Sequence, residues 1–287
     1  MTTVAAVIVT WNRKDLLRRC LRAVFAQRRA PDLIVLVDNA SSDGTTAMLA
    51  DEGFLADPRL RVFRMTENLG GAGGFAEGIR RGRALGADWL WLFDDDTLPE
   101  PGCLSELLRV AERPWRRPPS LLASRVVWTD GTLHPMNRVK PLRGHRPRPG
   151  PFAIRACSFV SCLIRGTVVD EVGLPVAAYR LWLDDVEYTH RLARHHPGIC
   201  VPSSLAVHAT AAAASVFQAP PDRLRLMVRN WLWMLRWSPG FSGGERIMSA
   251  ARFFYTLARA ARNGSTPCTV RAFIAGCREG IGGRQHA

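Results

Sequence analysis

The chain opens on an unbroken apolar, β-branched run, Val4 to Thr10, which reads as a buried strand. Leu16, Leu17, Cys20, Leu21, Val24 and Phe25 then recur at helical spacing, so a strand feeds a helix. Asn12 stands where an N-cap belongs and Asp15 follows as a capping-box acid, which predicts a helix starting near Arg13. The alternation then repeats. A second strand at Leu33 to Val37 stops at a dense turn signal running from Asp38 to Gly44, after which another helix is expected. A third strand covers Arg61 to Arg64, and Asn68-Leu-Gly-Gly-Ala-Gly-Gly74 opens a helix lasting to about Leu85. The fourth strand, Trp89 to Phe93, ends in Asp94, Asp95 and Asp96.

Strands alternating with helices predict an α/β fold: a Rossmann-like, mostly parallel sheet flanked by helices and joined by right-handed crossovers. Ligands collect at the carboxyl ends of such strands, where Asp38, the glycine loop and the triple aspartate all converge. Past Pro114 the texture changes. Arg116, Arg117, Pro118 and Pro119 make a break, and Asp130 to Pro151 reads as loop. Ala156 to Ile164 reads as a returning strand, Asp184 to His195 as a helix, and Leu205 to Val207 as a short strand ending at His208. Helical segments are expected near Asp222 to Trp237, Gly244 to Arg262 and Thr269 to Glu279. The implied organisation is a catalytic domain over 1–215, split into a nucleotide-binding half (1–113) and a second half (114–215), with a helical C-terminal appendage over 216–287.

Composition narrows the setting. No apolar run approaches the roughly 18 residues needed to span a bilayer, and Val4 to Val9 is too short for a signal peptide and lacks a basic flank. Cys20, Cys103, Cys157, Cys162, Cys200, Cys268 and Cys277 form no CxxC pair and read as reduced thiols of a cytoplasmic protein. The formal charge of +14 invites nucleic acid, anionic lipid or a phosphorylated substrate without choosing among them. Arginine carries it, Lys14 and Lys140 being the only lysines.

Three adjacent carboxylates in a partly dry site must either take up protons or be neutralised by a cation. All-oxygen ligands suit Mg2+ or Mn2+, with substrate phosphates completing the shell. On an extended backbone Asp94 and Asp96 point one way and Asp95 the other. The alternative is a turn that merely ends a strand. The glycine segment can offer backbone N–H groups to an anion at a helix N-terminus, or can simply allow close packing. A dinucleotide-binding fold would place such glycines after the first strand, where Thr-Trp-Asn-Arg13 stands instead, so a nicotinamide or flavin enzyme is disfavoured.

Val-Ile-Val-Thr-Trp-Asn-Arg13, Val-Asp-Asn-Ala-Ser-Ser-Asp-Gly44, Asn68-Leu-Gly-Gly-Ala-Gly-Gly-Phe75 and Trp-Leu-Phe-Asp-Asp-Asp96, in this order and spacing, resemble the family 2 glycosyltransferases of GT-A fold. Within them the chain resembles the bacterial galactofuranosyltransferases and their rhamnosyltransferase relatives, over roughly residues 4 to 210. The resemblance implies that Thr10, Asn12, Arg13, Asp38, Asn68, Gly71, Gly73, Gly74 and Asp95 border a nucleotide diphosphate sugar, with Asp38 near the base. It also implies that Asp94, Asp96 and His208 hold Mn2+ or Mg2+. Leu181-Trp-Leu-Asp-Asp-Val-Glu-Tyr188 matches the family's second acidic motif. There Asp184 reads as an N-cap on the acceptor side, with Glu187 completing the capping box and pairing with Arg191. Asp185, next at the helix start, can accept the acceptor's proton in a single inverting displacement. Trp182 either stacks on an acceptor sugar or packs beside the site. The implied acceptor is a hydroxyl of a glycan, a lipid-linked species or a small natural product.

In Asp222 to Trp237, tryptophans alternate with arginines. This suits either a helix lying on anionic lipid, at the inner face of the cell membrane, or ordinary packing on the catalytic domain. The rival function is a basic nucleic-acid-binding protein or a metal-dependent nucleotidyl-transfer enzyme. The first leaves the acidic clusters unexplained and the second needs a different order of acids around its strands, so no nucleic-acid partner is expected.

Overall fold

A computed structural model describes residues 2–210, 220–262 and 267–283, with side chains to residue 256 and again from 267. The first half alternates β1 (Val4–Thr10), α1 (Lys14–Phe25), β2 (Leu33–Asp38), α2 (Thr45–Asp51), β3 (Leu60–Arg64), α3 (Gly70–Ala84) and β4 (Trp89–Asp94). These four strands lie parallel in the order β3-β2-β1-β4. The second half adds β5 (Thr97–Pro99), α4 (Cys103–Ala111), β6 (Leu121–Val127), β7 (Lys140–Pro141), β8 (Phe152–Ala156), β9 (Cys162–Arg165), α5 (Gly166–Val172), α6 (Asp184–Leu192) and β10 (Gly198–His208). It extends the sheet as β4-β9-β6-β10-β8-β7. The sheet is thus parallel from β3 to β4 and mixed beyond it, because β9 runs antiparallel between β4 and β6.

Both faces of the sheet are covered, which is why β1 is buried at every position and apolar from Val4 to Val9. Ala6 and Ile8 face Leu17, Cys20 and Leu21 of α1, whereas Val7 and Val9 face Phe75 and Ile79 of α3. Helix α3 rides unusually low on the sheet. A Cβ on Gly74, Gly78 or Gly82, one helical turn apart, would lie 2.5, 2.4 and 2.4 Å from side-chain carbons of Val9, Val7 and Leu90.

Several local expectations are corrected. Asn12 does not cap α1: its backbone is left-handed (φ 51) and its Oδ1 accepts from Ser42 N, while Lys14 N donates to Asp43 of the next loop. Asp15 bonds Arg18 instead of closing a capping box. Ala156 to Ile164 is not one strand, since β8 ends at Ala156 and β9 starts at Cys162. Leu205 to Val207 is the end of the eleven-residue β10, bulged between Val201 and Leu205. Asp184 is the first residue of α6 and not its cap, which is Leu183 in a left-handed conformation, so no capping box forms. The Glu187–Arg191 pair does form, at 2.9 Å. The Asp130 to Pro151 loop contains a 3-10 turn at Pro135–Asn137 as well as β7.

The C-terminal helices are α7 (Pro221–Trp237), α8 (Gly243–Arg262) and α9 (Pro267–Gly282). The boundary expected between 215 and 216 lies outside the described residues. Met227, Trp231, Trp233 and Met234 of α7 are buried, so packing accounts for its tryptophan pattern. Helix α7 also holds the segment leading into α6. Asn230 Nδ2 lies 2.9 Å from Tyr179 O, 3.0 Å from Leu181 O and 2.9 Å from Trp182 O, donating among the three carbonyls. Arg180, Trp182 and Leu183 all have positive φ (58, 67 and 66°), a conformation that non-glycine residues keep only when their surroundings impose it.

Candidate active site

Thr10, Asp94 and His208 end β1, β4 and β10 at one edge of the sheet. Asp94, Asp96 and His208 each direct a ligand atom there, all within 4.8 Å of one another. His208 Nε2 stands 2.9 Å from Asp96 Oδ1, yet off the direction a hydrogen bond needs, so this buried oxygen has no hydrogen-bond partner. The three side chains lie close enough to hold one metal ion. Asp95, in the turn after β4, is not among these ligands and bonds back to the end of β1 and the loop after it. Its Oδ2 accepts from Thr10 Oγ1 at 2.8 Å and its Oδ1 from Arg13 at 3.2 Å, while the same guanidinium nitrogen reaches Asp96 Oδ2 at 2.9 Å.

The charges of this cluster act on one another. Burial, reinforced by Asp96, pushes the Asp94 carboxyl up to about 7, and burial pushes Asp95 up to about 6 against the pull of Arg13. Burial also opposes ionisation of Asp96, but His208 and Arg13 hold it below the usual carboxylate range. His208 is raised by Asp96 and Asp94 in spite of its burial. Carboxylates with one imidazole and an unbonded buried oxygen fit a hard divalent ion such as Mn2+ or Mg2+.

Asp38 is buried at the end of β2 and accepts from Ser41 N at 2.9 Å. Asn12 N donates to Ser41 Oγ at 2.9 Å, tying the loops after β1 and β2 together. Asn68 Oδ1 accepts from Gly70 N at 2.8 Å and so shapes the start of α3. The glycines divide in two. Gly73 and Gly74 are buried against Leu69 and Val9, where packing accounts for them, but a Cβ on Gly71 would come no closer than 4.0 Å to Arg180 O.

Across the site stands α6. Burial pushes Asp185 up to about 6, opposed by a hydrogen bond from Val186 N and by the charge of Lys140. Asp184 is raised well above the carboxylate range, by burial first and then by Asp185, and Asp94 adds to that rise. The field of the first cluster therefore reaches the second. Trp182 is partly buried against the apolar cluster built on α7, which favours packing for its ring. Lys140 was missed from the sequence. Burial lowers its amine to about 8, Arg252 lowers it further and Asp185 opposes both. Its rarity in an arginine-rich chain was the one available signal.

Residues 5–171 match the family model described as Glycosyl transferase family 2. The chain belongs to glycosyl transferase family 2. Among relatives, this family 2 chain is 33% identical over 201 residues to galactofuranosyltransferase GlfT1 of Mycolicibacterium smegmatis, covering 67% of this chain and 65% of that protein. It is 31% identical over 204 residues to GlfT1 of Mycobacterium tuberculosis, with the same coverage of 67% and 65%. The match thus spans just under two thirds of the length of these relatives. Similar solved structures include GalNAc-T7 with UDP, GalNAc and Mn2+ (TM-score 0.64, 15% identity, 84% of this chain and 49% of that one). Another is S. aureus TarS 1–349 in complex with UDP (TM-score 0.61, 13% identity, 88% and 71%). The shared architecture is the GT-A fold.

Proposed function

We propose that this family 2 chain moves a sugar from a nucleotide diphosphate donor to a hydroxyl acceptor by a single inverting displacement that depends on a divalent cation. The observation that carries the reading is the convergence of Asp94, Asp96 and His208 beside the Thr10–Asp95–Arg13 network. These three residues hold Mn2+ or Mg2+, whose positive charge favours departure of the diphosphate. Arg13, ordered by Asp95, faces the same anionic group. Asp38 and Asn12 line the base and ribose side, and the start of α3 at Asn68 and Gly71 lies along the donor. Asp185 takes the acceptor proton, for which it must be ionised, as it is at neutral pH with its carboxyl at about 6. Asp184, whose carboxyl burial and the neighbouring Asp185 push upward, orients the acceptor side.

Galactofuranose is the favoured sugar because the GlfT1 relatives carry that name, and UDP the favoured nucleotide because it is the one in the similar solved structures. Rhamnose is the alternative. No described helix is long and apolar enough to cross a membrane. Peripheral contact at a cytoplasmic membrane face is supported instead by α8 and α9. They expose Ile247, Met248, Phe254, Tyr255, Val270, Ile274 and Ile281 alongside Arg252, Arg271 and Arg278. A nucleic-acid partner gains no support, because the edge where the strands end is lined by carboxylates.

The test is release of nucleoside diphosphate from UDP-galactofuranose and dTDP-rhamnose in the presence of Mn2+ or Mg2+. Release that requires metal and disappears in Asp96→Ala is expected. Release that continues unchanged in EDTA or in that variant overturns the reading.

A further inference from the structure

From the hydrogen bonds behind His208 we infer that Asn137 is a positioning residue for the metal site: it fixes the imidazole so that Nε2, and not Nδ1, is offered to the cation. This rests on the metal reading proposed above.

His208 Nδ1 lies 2.7 Å from Asn137 Oδ1. The direction of this bond is set one step further out, where Asn137 Nδ2 donates to Ser158 Oγ at 2.8 Å. With its NH2 committed to Ser158, the amide presents only its carbonyl oxygen to the ring, and a carbonyl can only accept. Nδ1 must therefore carry a proton, and Nε2, on the side of Asp96, is the nitrogen free to ligate. A metal-bound histidine needs such an outer partner to hold ring and tautomer.

The surrounding turn is built to keep Asn137 in place. Asn137 is buried and closes the Pro135–Asn137 turn, its N–H donating to His134 O at 3.2 Å. The His134 ring lies 4.6 Å from that of His208. His134 Nδ1 accepts from Met136 N at 3.3 Å, so its Nε2 bears the hydrogen shared with Thr210 Oγ1 at 3.0 Å. Trp128 Nε1 donates to Thr210 O at 2.9 Å. The turn thus grips the chain on both sides of the His208 ring, at Asn137 and at Thr210. Its composition reads only as loop, so this supporting shell comes from a segment in which no motif is legible.

The test is Mn2+ titration of the purified chain, with free ion followed by electron paramagnetic resonance, and needs no substrate. Asn137→Leu removes the acceptor and is expected to weaken Mn2+ binding about 10- to 100-fold, the usual effect of losing an outer-shell partner. Asn137→Asp restores an acceptor for Nδ1–H and is expected to bind at least as well as wild type. Ser158→Ala frees the amide to turn over and is expected to weaken binding several-fold while leaving the fold intact, because it removes only one half-buried hydroxyl. Thermal unfolding without metal checks each variant. Asn137→Leu and Ser158→Ala both binding within twofold of wild type, while Asp96→Ala abolishes binding, would overturn this inference alone. Equal binding by wild type and Asp96→Ala would overturn the metal reading and this inference with it.

Discussion

Two glycines of the same helix should respond to alanine with opposite signs. At Gly78 a Cβ would stand 2.4 Å from Val7 Cγ1 and 3.3 Å from Val37 Cγ2. Val7 belongs to β1, bonded between β2 and β4, so it cannot yield without moving the middle of the sheet. Alanine improves helix propensity by about 1 kcal/mol. Overpacking a core costs about 1–3 kcal/mol, and an approach this short against a fixed strand belongs at the upper end. The net loss is about 2 kcal/mol, which at about 2–4 °C per kcal/mol for a chain of this class is a fall in Tm of roughly 4–8 °C. At Gly71, which has open space and a negative φ, only the helical gain remains, so Gly71→Ala should leave Tm unchanged or slightly raised. Thermal unfolding by circular dichroism, in urea titration as well if heating is irreversible, reads both. UDP binding separates the roles further: it should weaken in Gly71→Ala, whose methyl enters the donor side, and persist in Gly78→Ala below its Tm. A Gly78→Ala protein as stable as wild type, or a Gly71→Ala protein destabilised as much as Gly78→Ala, would refute the packing argument.

Further outcomes follow from the acceptor side. Asp185→Asn should lower the transfer rate about 10²- to 10⁴-fold, the usual contribution of a positioned base, with Mn2+ and UDP binding unchanged by calorimetry. Because Asp185 must be ionised and its carboxyl is raised to about 6, the wild-type rate should be flat above that value and fall about tenfold per pH unit below it. A pH–rate profile with no acidic limb between 5 and 7 contradicts the assignment. Asn230→Ala strips the shared donor from three backbone carbonyls and should destabilise the chain by about 1–3 kcal/mol. Steady-state kinetics should show a larger fall in transfer than in donor binding.

Strands β1, β2 and β4 were legible because each is a continuous apolar run closed by a turn signal, and a strand buried on both faces needs nothing else, whereas β3 mixes Arg61 and Arg64 with Val62 and Phe63 because it is largely exposed. The grouping of Asp94 with Asp96 apart from Asp95 was expected from strand parity, but β4 ends at Asp94 and the turn that follows lets Arg13 reach both Asp95 and Asp96. Failures came where tertiary contacts decide. The stretch from Phe152 to Ile164 has no proline or glycine to mark a break, and the chain turns instead at Ser161, forced to φ 54. In β10, Pro202, Ser203 and Ser204 read as an interruption, whereas the strand absorbs them as a bulge. Helix starts misled because caps came from elsewhere: Asp43 serves α1 from a neighbouring loop. His208 was found only through family resemblance. Lys140 and Asn137 lie in a segment whose composition signals loop, and their surroundings exist only once β8, α6 and β10 have assembled around them.

The left-handed residues Arg180, Trp182 and Leu183 bear on how such enzymes can be divided and recombined. Left-handed backbone at a non-glycine residue costs on the order of 1–3 kcal/mol per position, and here three such positions are restrained from α7 through Asn230 and Arg229. The start of α6, with Asp184 and Asp185, is thereby set by a helix that follows it in sequence by some forty residues. A chimera joining this catalytic half to the C-terminal helices of a relative should keep donor and metal binding, and should recover transfer only when the incoming helix brings an amide to the place of Asn230. The unit that can be exchanged intact is the loop together with its restraining helix, and recombination that separates them releases the start of α6.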